Sequence, residues 1–320
     1  MNIFKAIIAF IFLSTLSAAG IFAQDTDVIR VETDLVSVSV AVRDEKGRAV
    51  KGLSREQFEI LDNKTKQTLA HFSAQDAAVS YGIVYDLHPT TDASTKAVLE
   101  SLRQFTKELS PAEDFFITVF NERGNLTVDF VPSVEQVTQQ LSARGPRSLY
   151  DAVLQAAEKL RARRNQKQTL IIISDGADHR SHHSYNELIK QMRGLNMQTY
   201  AVLLDENADG RWTYSDITRN REPRTIRSDA TANDRAAISD LSLKTGGAAY
   251  VEGLENQQRL YSAYKQIAKE MNEQYTLGFY PSATDGRWHS LAVRLVPSTK
   301  ESKKYVLTYR QGYQSPKAKN

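Results

Sequence analysis

Cysteine is absent from the 320 residues, so the chain has no disulfide and no thiol chemistry. A strong charge excess is missing too. The formal net charge is +3, from 41 basic and 38 acidic residues, too small a surplus to point to nucleic acid. After residue 24 no apolar run approaches the ~20 residues that a membrane span requires. Catalytic signatures are also wanting. There is no nucleophile-elbow pattern, and the "TGG" at 245–247 is not a phosphate loop. Nothing in the spacing of Ser, His and Asp supports a triad. The expectation is a non-enzymatic protein, with hydrolysis a remote alternative. Histidine is scarce, at six residues, so where it gathers is informative.

What is present is an ordinary globular composition, 25% charged and 41% hydrophobic, with length for one to three domains. The N-terminus "MNIFKAIIAFIFLSTLSAAGIFAQ" has the three parts of a secretory signal peptide. Lys5 supplies the early charge, 6–16 the apolar stretch, and Ser17, Ala18, Ala19 and Gly20 the small residues. Cleavage is expected after Ala19 or Ala23, with Ala23 preferred, so 1–23 is read as a signal peptide. The junction has no cysteine for a bacterial lipid anchor. A chain exported without cysteine suits a bacterial envelope, periplasmic or secreted, with no membrane span after cleavage.

The run 28–42, "VIRVETDLVSVSVAV", alternates apolar and polar residues as a half-buried strand does. "LSREQFEILDN" reads as a short helical turn entering a strand, and "QTLAHFSA" as another strand. The character changes at Ala77. "VSYGIVYD", "DFFITVFN", "QTLIIISDG" and "MQTYAVLLD" are nearly continuous apolar runs, as expected of strands covered on both faces. Helical patterns lie between them, so a parallel, doubly wound sheet is expected. A capping-box spacing, Ser133 to Gln136, opens one of these helices. An interruption at 206–234 carries Arg219, Arg221, Arg224 and Arg227, and reads as a solvated insertion or as a docking surface for an acidic partner. After Tyr275 the chain is β-rich again, in "YTLGFYP", "WHSLAVRLV" and "KYVLTYRQGY". Neither β-rich end has enough strands to be stable alone. The expected organisation is a β segment 28–76, an α/β domain 77–274, a second β segment 275–314 pairing with the first, and a disordered tail 315–320. The fold class is thus α/β, a doubly wound and mostly parallel sheet inserted in a small β-sandwich-like domain.

Three of the apolar runs end in aspartate, at Asp86, Asp175 and Asp205; the C-terminal tips of parallel strands share one edge, and Asp86 and Asp175 are expected on it. The loop before Leu149 adds Ser148. Two carboxylates and a hydroxyl at one edge are a natural hard-cation site. The order of these features resembles the von Willebrand factor type A domain. More closely, the chain resembles the bacterial von Willebrand A-related proteins abundant in acidobacteria. The segments "VSVSVAVRDEKGRAVKGLSREQFEILDN", "SLYDAV", "IIISDGADHRS", "KTGGAAY", "QYTLGFYP" and "RQGYQS" carry the resemblance across nearly the whole chain after the leader. It implies a metal-ion-dependent adhesion site with Asp86 as first aspartate, His88 and Thr90 where two serines stand, Ser148 in place of a threonine, and Asp175 as last aspartate. Imidazole is a poor Mg²⁺ ligand, so the implied site is degenerate, with Mg²⁺ bound weakly or no metal at all. Asp178, His179, His182 and His183 follow Asp175 in "DGADHRSHHS" and are expected on its rim. Histidine with carboxylate favours Zn²⁺, which keeps open a metal-binding or metal-sensing alternative. The leading expectation is adhesion-type binding of an unknown protein or envelope ligand.

Overall fold

The computed structural model describes residues 35–74, 77–87, 92–121, 124–140, 148–205, 231–253, 256–296 and 305–316. The first described elements are strands β1 (Val36–Arg43), β2 (Phe58–Asp62), β3 (Thr65–Gln67) and β4 (His71–Ser73). The α/β portion follows. It runs β5 (Val79–Asp86), α1 (Asp92–Thr106), β6 (Asp114–Asn121), β7 (Gly124–Val128), α2 (Val134–Gln140), α3 (Leu149–Arg161), β8 (Lys167–Ser174), α4 (Tyr185–Gly194), β9 (Gln198–Asp205), α5 (Ala232–Lys244), β10 (Ala249–Gly253) and α6 (Gln257–Asn272). Strands β11 (Tyr275–Phe279), β12 (Trp288–Leu295), β13 (Val306–Thr308) and β14 (Gly312–Gln314) complete the chain.

The apolar runs form a six-stranded sheet of order β10-β9-β8-β5-β6-β7. Its pairings are parallel except β6 with β7, which is antiparallel and puts β7 at an edge. All eight residues of β5 are buried because both faces are covered. Tyr81, Ile83 and Tyr85 meet Val98, Leu102 and Phe105 of α1 and Leu260, Tyr264 and Ile267 of α6. Val84 faces the other way, into a core with α3, α4 and α5. Gly82 is needed on that second face. A Cβ there would stand 2.9 Å from Leu170 and 3.0 Å from the Phe116 ring. The predicted capping bond is present: the Gln136 amide donates to Ser133 Oγ at 3.2 Å.

The remaining strands form two antiparallel sheets of four, β13-β1-β11-β4 and β14-β12-β2-β3. Each sheet mixes strands from before and after the α/β portion. Val38 of β1 lies opposite Leu277 of β11, and Ile60 of β2 opposite Val293 of β12. Val36, Val38, Val40 and Val42 pack with Phe58, Ile60, Leu277, Phe279, Leu291 and Val293, so one core lies between the two sheets.

Two segments differ from expectation. "QTLAHFSA" is not one strand: β3 joins one sheet and β4 the other. "KYVLTYRQGY" divides likewise into β13 and β14. In the second case the crossing is held by buried Arg310. Its guanidinium donates to the Ser37 carbonyl at 2.6 Å and to the Leu195 carbonyl, just past the end of α4, at 3.2 Å. Carbonyls at a helix C-terminus are a favourable partner for a cation. The expected tail also includes a packed residue. Ser315 is buried, and its hydroxyl donates to Ala283 O at 2.7 Å. Residues 317–320 lie outside the described residues, as do 1–34 and most of the Arg-rich interruption. Among the described residues no helix is long and apolar enough to cross a membrane.

Candidate binding site at the strand tips

The chain reverses its direction of travel across the sheet between β5 and β8. From β5 it proceeds to β6 and β7 at one edge; from β8 it proceeds to β9 and β10 at the other. The helix after β5 packs on one face of the sheet and the helix after β8 on the opposite face. The two connections therefore diverge, and a crevice opens where ligands of open α/β sheets bind. Asp86 closes β5, and Asp175 follows directly on β8. Both side chains are buried.

Each is held by its own hydrogen bond from the end of β8 or the turn after it. Ser174 Oγ donates to Asp86 Oδ2 at 2.8 Å and accepts the Gly176 amide at 3.0 Å. The Ala177 amide donates to Asp175 Oδ1 at 3.0 Å. Gly176 has φ +95°, and a Cβ there would meet the backbone of Asp234 and Arg235 at 3.2 Å. Only glycine tolerates both that backbone and the close approach of α5.

Ser148 stands at the N-cap of α3, yet its side chain makes no capping bond. The loop after β8 does that work. The Tyr150 amide donates to Asp178 Oδ1 at 3.2 Å and the Asp151 amide to Ser181 Oγ at 3.1 Å. Ser181 in turn donates to Asp178 at 2.5 Å. These bonds satisfy amides that a helix start leaves open, and they seat the loop on α3.

Asp151 holds the rest of the loop. Its Oδ2 accepts the His182 amide at 2.8 Å and lies 2.9 Å from His182 Nδ1. Its Oδ1 accepts the His183 amide at 3.3 Å and lies 2.7 Å from His183 Nδ1. Burial pushes the Asp151 carboxyl up, but the four bonds outweigh it and bring the pKa down to about 2.

Asp86, Asp175, Asp178 and the start of α3 at Ser148 therefore lie at one end of the sheet. His182 and His183 gather on α3 through Asp151, and His179 is exposed. His88 and Thr90 lie outside the described residues. Among the described residues no group of three or more His, Asp or Glu side chains is arranged to hold a metal ion. Sequence reasoning missed Ser174, Asp151 and Ser181. Asp151 stands three residues after Ser148, a spacing that reads as local capping. Nothing in that spacing points to a loop 31 residues away.

A second buried polar cluster lies between the antiparallel sheets. His289 Nδ1 is 2.7 Å from Asp62 Oδ1, and its Nε2 is 3.2 Å from Asp285 Oδ1. The Tyr313 hydroxyl donates to Asp62 Oδ2 at 2.8 Å. The cluster joins β2 to β12 and β14, and hydrogen bonding is what makes such burial tolerable.

No family profile and no curated protein matches the chain. Solved structures resemble it. An aerotolerance-related membrane protein from Bacteroides fragilis aligns with a TM-score of 0.40 at 15% identity, over 61% of this chain and 100% of that one. The ArnB paralog VWA2 from Sulfolobus acidocaldarius aligns with a TM-score of 0.38 at 13% identity, over 87% and 76%. A von Willebrand factor type A protein from Catenulispora acidiphila aligns with a TM-score of 0.39 at 12% identity, over 85% and 76%. None is similar enough to assign a role to a residue of this chain. The chain's own strand order, a mostly parallel sheet with helices on both faces, is of the von Willebrand A-like, Rossmann-like class.

Proposed function

We propose that this is an exported, non-enzymatic protein of the bacterial von Willebrand A-related kind, which binds a protein or envelope ligand at the strand-tip edge of its α/β portion. The observation that supports this most is the position of Asp86 and Asp175 on either side of the point where the strand order reverses. Carboxylates there, with Ser148 at the start of α3, are oxygen donors suited to a divalent cation. His88, two residues after Asp86 in the sequence, is a donor that Mg²⁺ disfavours and Zn²⁺ accepts. Ligand binding at this edge is accordingly expected to depend little on Mg²⁺.

Cross-linking of the mature chain to its native envelope fraction tests the reading. A partner captured by the native chain should be lost with Asp175→Asn at unchanged melting temperature. Calorimetry should find Mg²⁺ weak for the native chain and tighter after His88→Ser. Capture indifferent to Asp175→Asn, together with tight Mg²⁺ binding indifferent to His88→Ser, would remove the strand-tip edge as the binding surface.

A further inference from the structure

A loop that needs only anchoring can be held by backbone amides, which any residue supplies. The loop after β8 has two such bonds to Asp151, from His182 and His183, and then adds a ring bond from each of the same residues. The ring bonds are specific to imidazole. A carboxylate only accepts hydrogen bonds. Each Nδ1 therefore carries the proton, and in the neutral ring the lone pair is left on Nε2. The side chains are 93% and 42% exposed, so the edges away from Asp151 face solvent. A carboxylate on the far nitrogen is the arrangement that fixes the tautomer and raises the basicity of metal-bound histidines.

We propose that His182 and His183 form a binding site for a borderline divalent cation, Zn²⁺ or its neighbours Ni²⁺ and Cu²⁺, with Asp151 as the positioning residue. Imidazole suits these ions and not Mg²⁺. Two protein ligands leave the remaining positions to water or to a donor from a bound partner. The site uses neither Asp86 nor Asp175, so it stands independently of the strand-tip reading.

Calorimetric titration of the metal-free mature chain with ZnCl₂ tests it. Binding is expected for the native chain and lost in the double variant His182→Gln, His183→Gln. Asp151→Asn removes no ligand but should weaken binding about 10–100-fold, the usual effect of losing an outer-shell carboxylate. Asp175→Asn should leave the affinity unchanged. A second measurement needs no variant. In long-range nitrogen–proton spectra of the native chain, both rings should show the Nδ1–H tautomer, and Zn²⁺ should shift their Nε2 resonances. No Zn²⁺ binding, affinity unchanged in the double variant or in Asp151→Asn, or rings in the Nε2–H form would each overturn the proposal.

Discussion

Asp151 concentrates four hydrogen bonds on one carboxylate, and its protonation should be visible in the loop that it holds. The folded pKa of about 2 lies below the ordinary 3.8. A depressed carboxyl contributes stability that is fully present above the ordinary value and is lost as pH falls through the folded one. Protection of the His182 and His183 amides from hydrogen exchange should therefore hold above pH 4, decline between pH 4 and 2, and disappear below that. Carboxyl-carbon NMR of Asp151 should give its midpoint in the same window. A midpoint at the ordinary value would mean that the clamp does not form in solution.

At the scale of elements, two glycines near helix ends make opposite predictions. Gly247 lies between α5 and β10, and a Cβ there would stand 2.0 Å from the Thr199 carbonyl oxygen. No side-chain rearrangement relieves a clash with backbone, so Gly247→Ala should destabilise by about 3 kcal/mol or more. Gly194, at the end of α4, would place its Cβ 3.7 Å from the nearest atom, Gln314 Cβ. Gly194→Ala should stay within about 0.5 kcal/mol of the native chain. Urea midpoints of the two variants would check both, and equal midpoints would contradict the packing around Thr199. The two positions also show what sequence can and cannot tell. Both glycines stand at or just past a helix end in the sequence, yet only the folded neighbourhood separates a close backbone contact from open space.

For the whole molecule, the decisive contacts join the chain's beginning to its end. β1 lies between β11 and β13, and β2 pairs with β12. Deleting residues 275–320 would remove both neighbours of β1 and uncover the buried face that carries Val36, Val38, Val40 and Val42. It would also strip Asp62 of His289 and Tyr313. The truncated chain is expected to aggregate, or to lose residues 35–74 first in limited proteolysis. A monomeric truncation as protease-resistant as the native chain would show that the two β-rich ends are independent. The likeness of the ends to strands was legible in their alternation. Which strands share a sheet was not, because alternation fixes a buried face and says nothing about the neighbour that covers it.

By itself the sequence determined the class of the fold and the position of its central strands. Runs such as "VSYGIVYD" and "QTLIIIS" have almost no polar face, so they can persist only where helices cover both sides of a sheet. It also determined that Asp86 and Asp175 end or follow such strands, and hence that both reach one edge. Tertiary structure alone decided the rest. The divisions of 65–73 and 306–314 between two sheets, the pairing of Asp62 with His289 across 227 residues, and the grip of Asp151 on His182 and His183 all join distant positions. Such contacts depend on register and on the direction in which a side chain leaves its backbone. Both are properties of the assembled sheets and helices, not of any local pattern of residues.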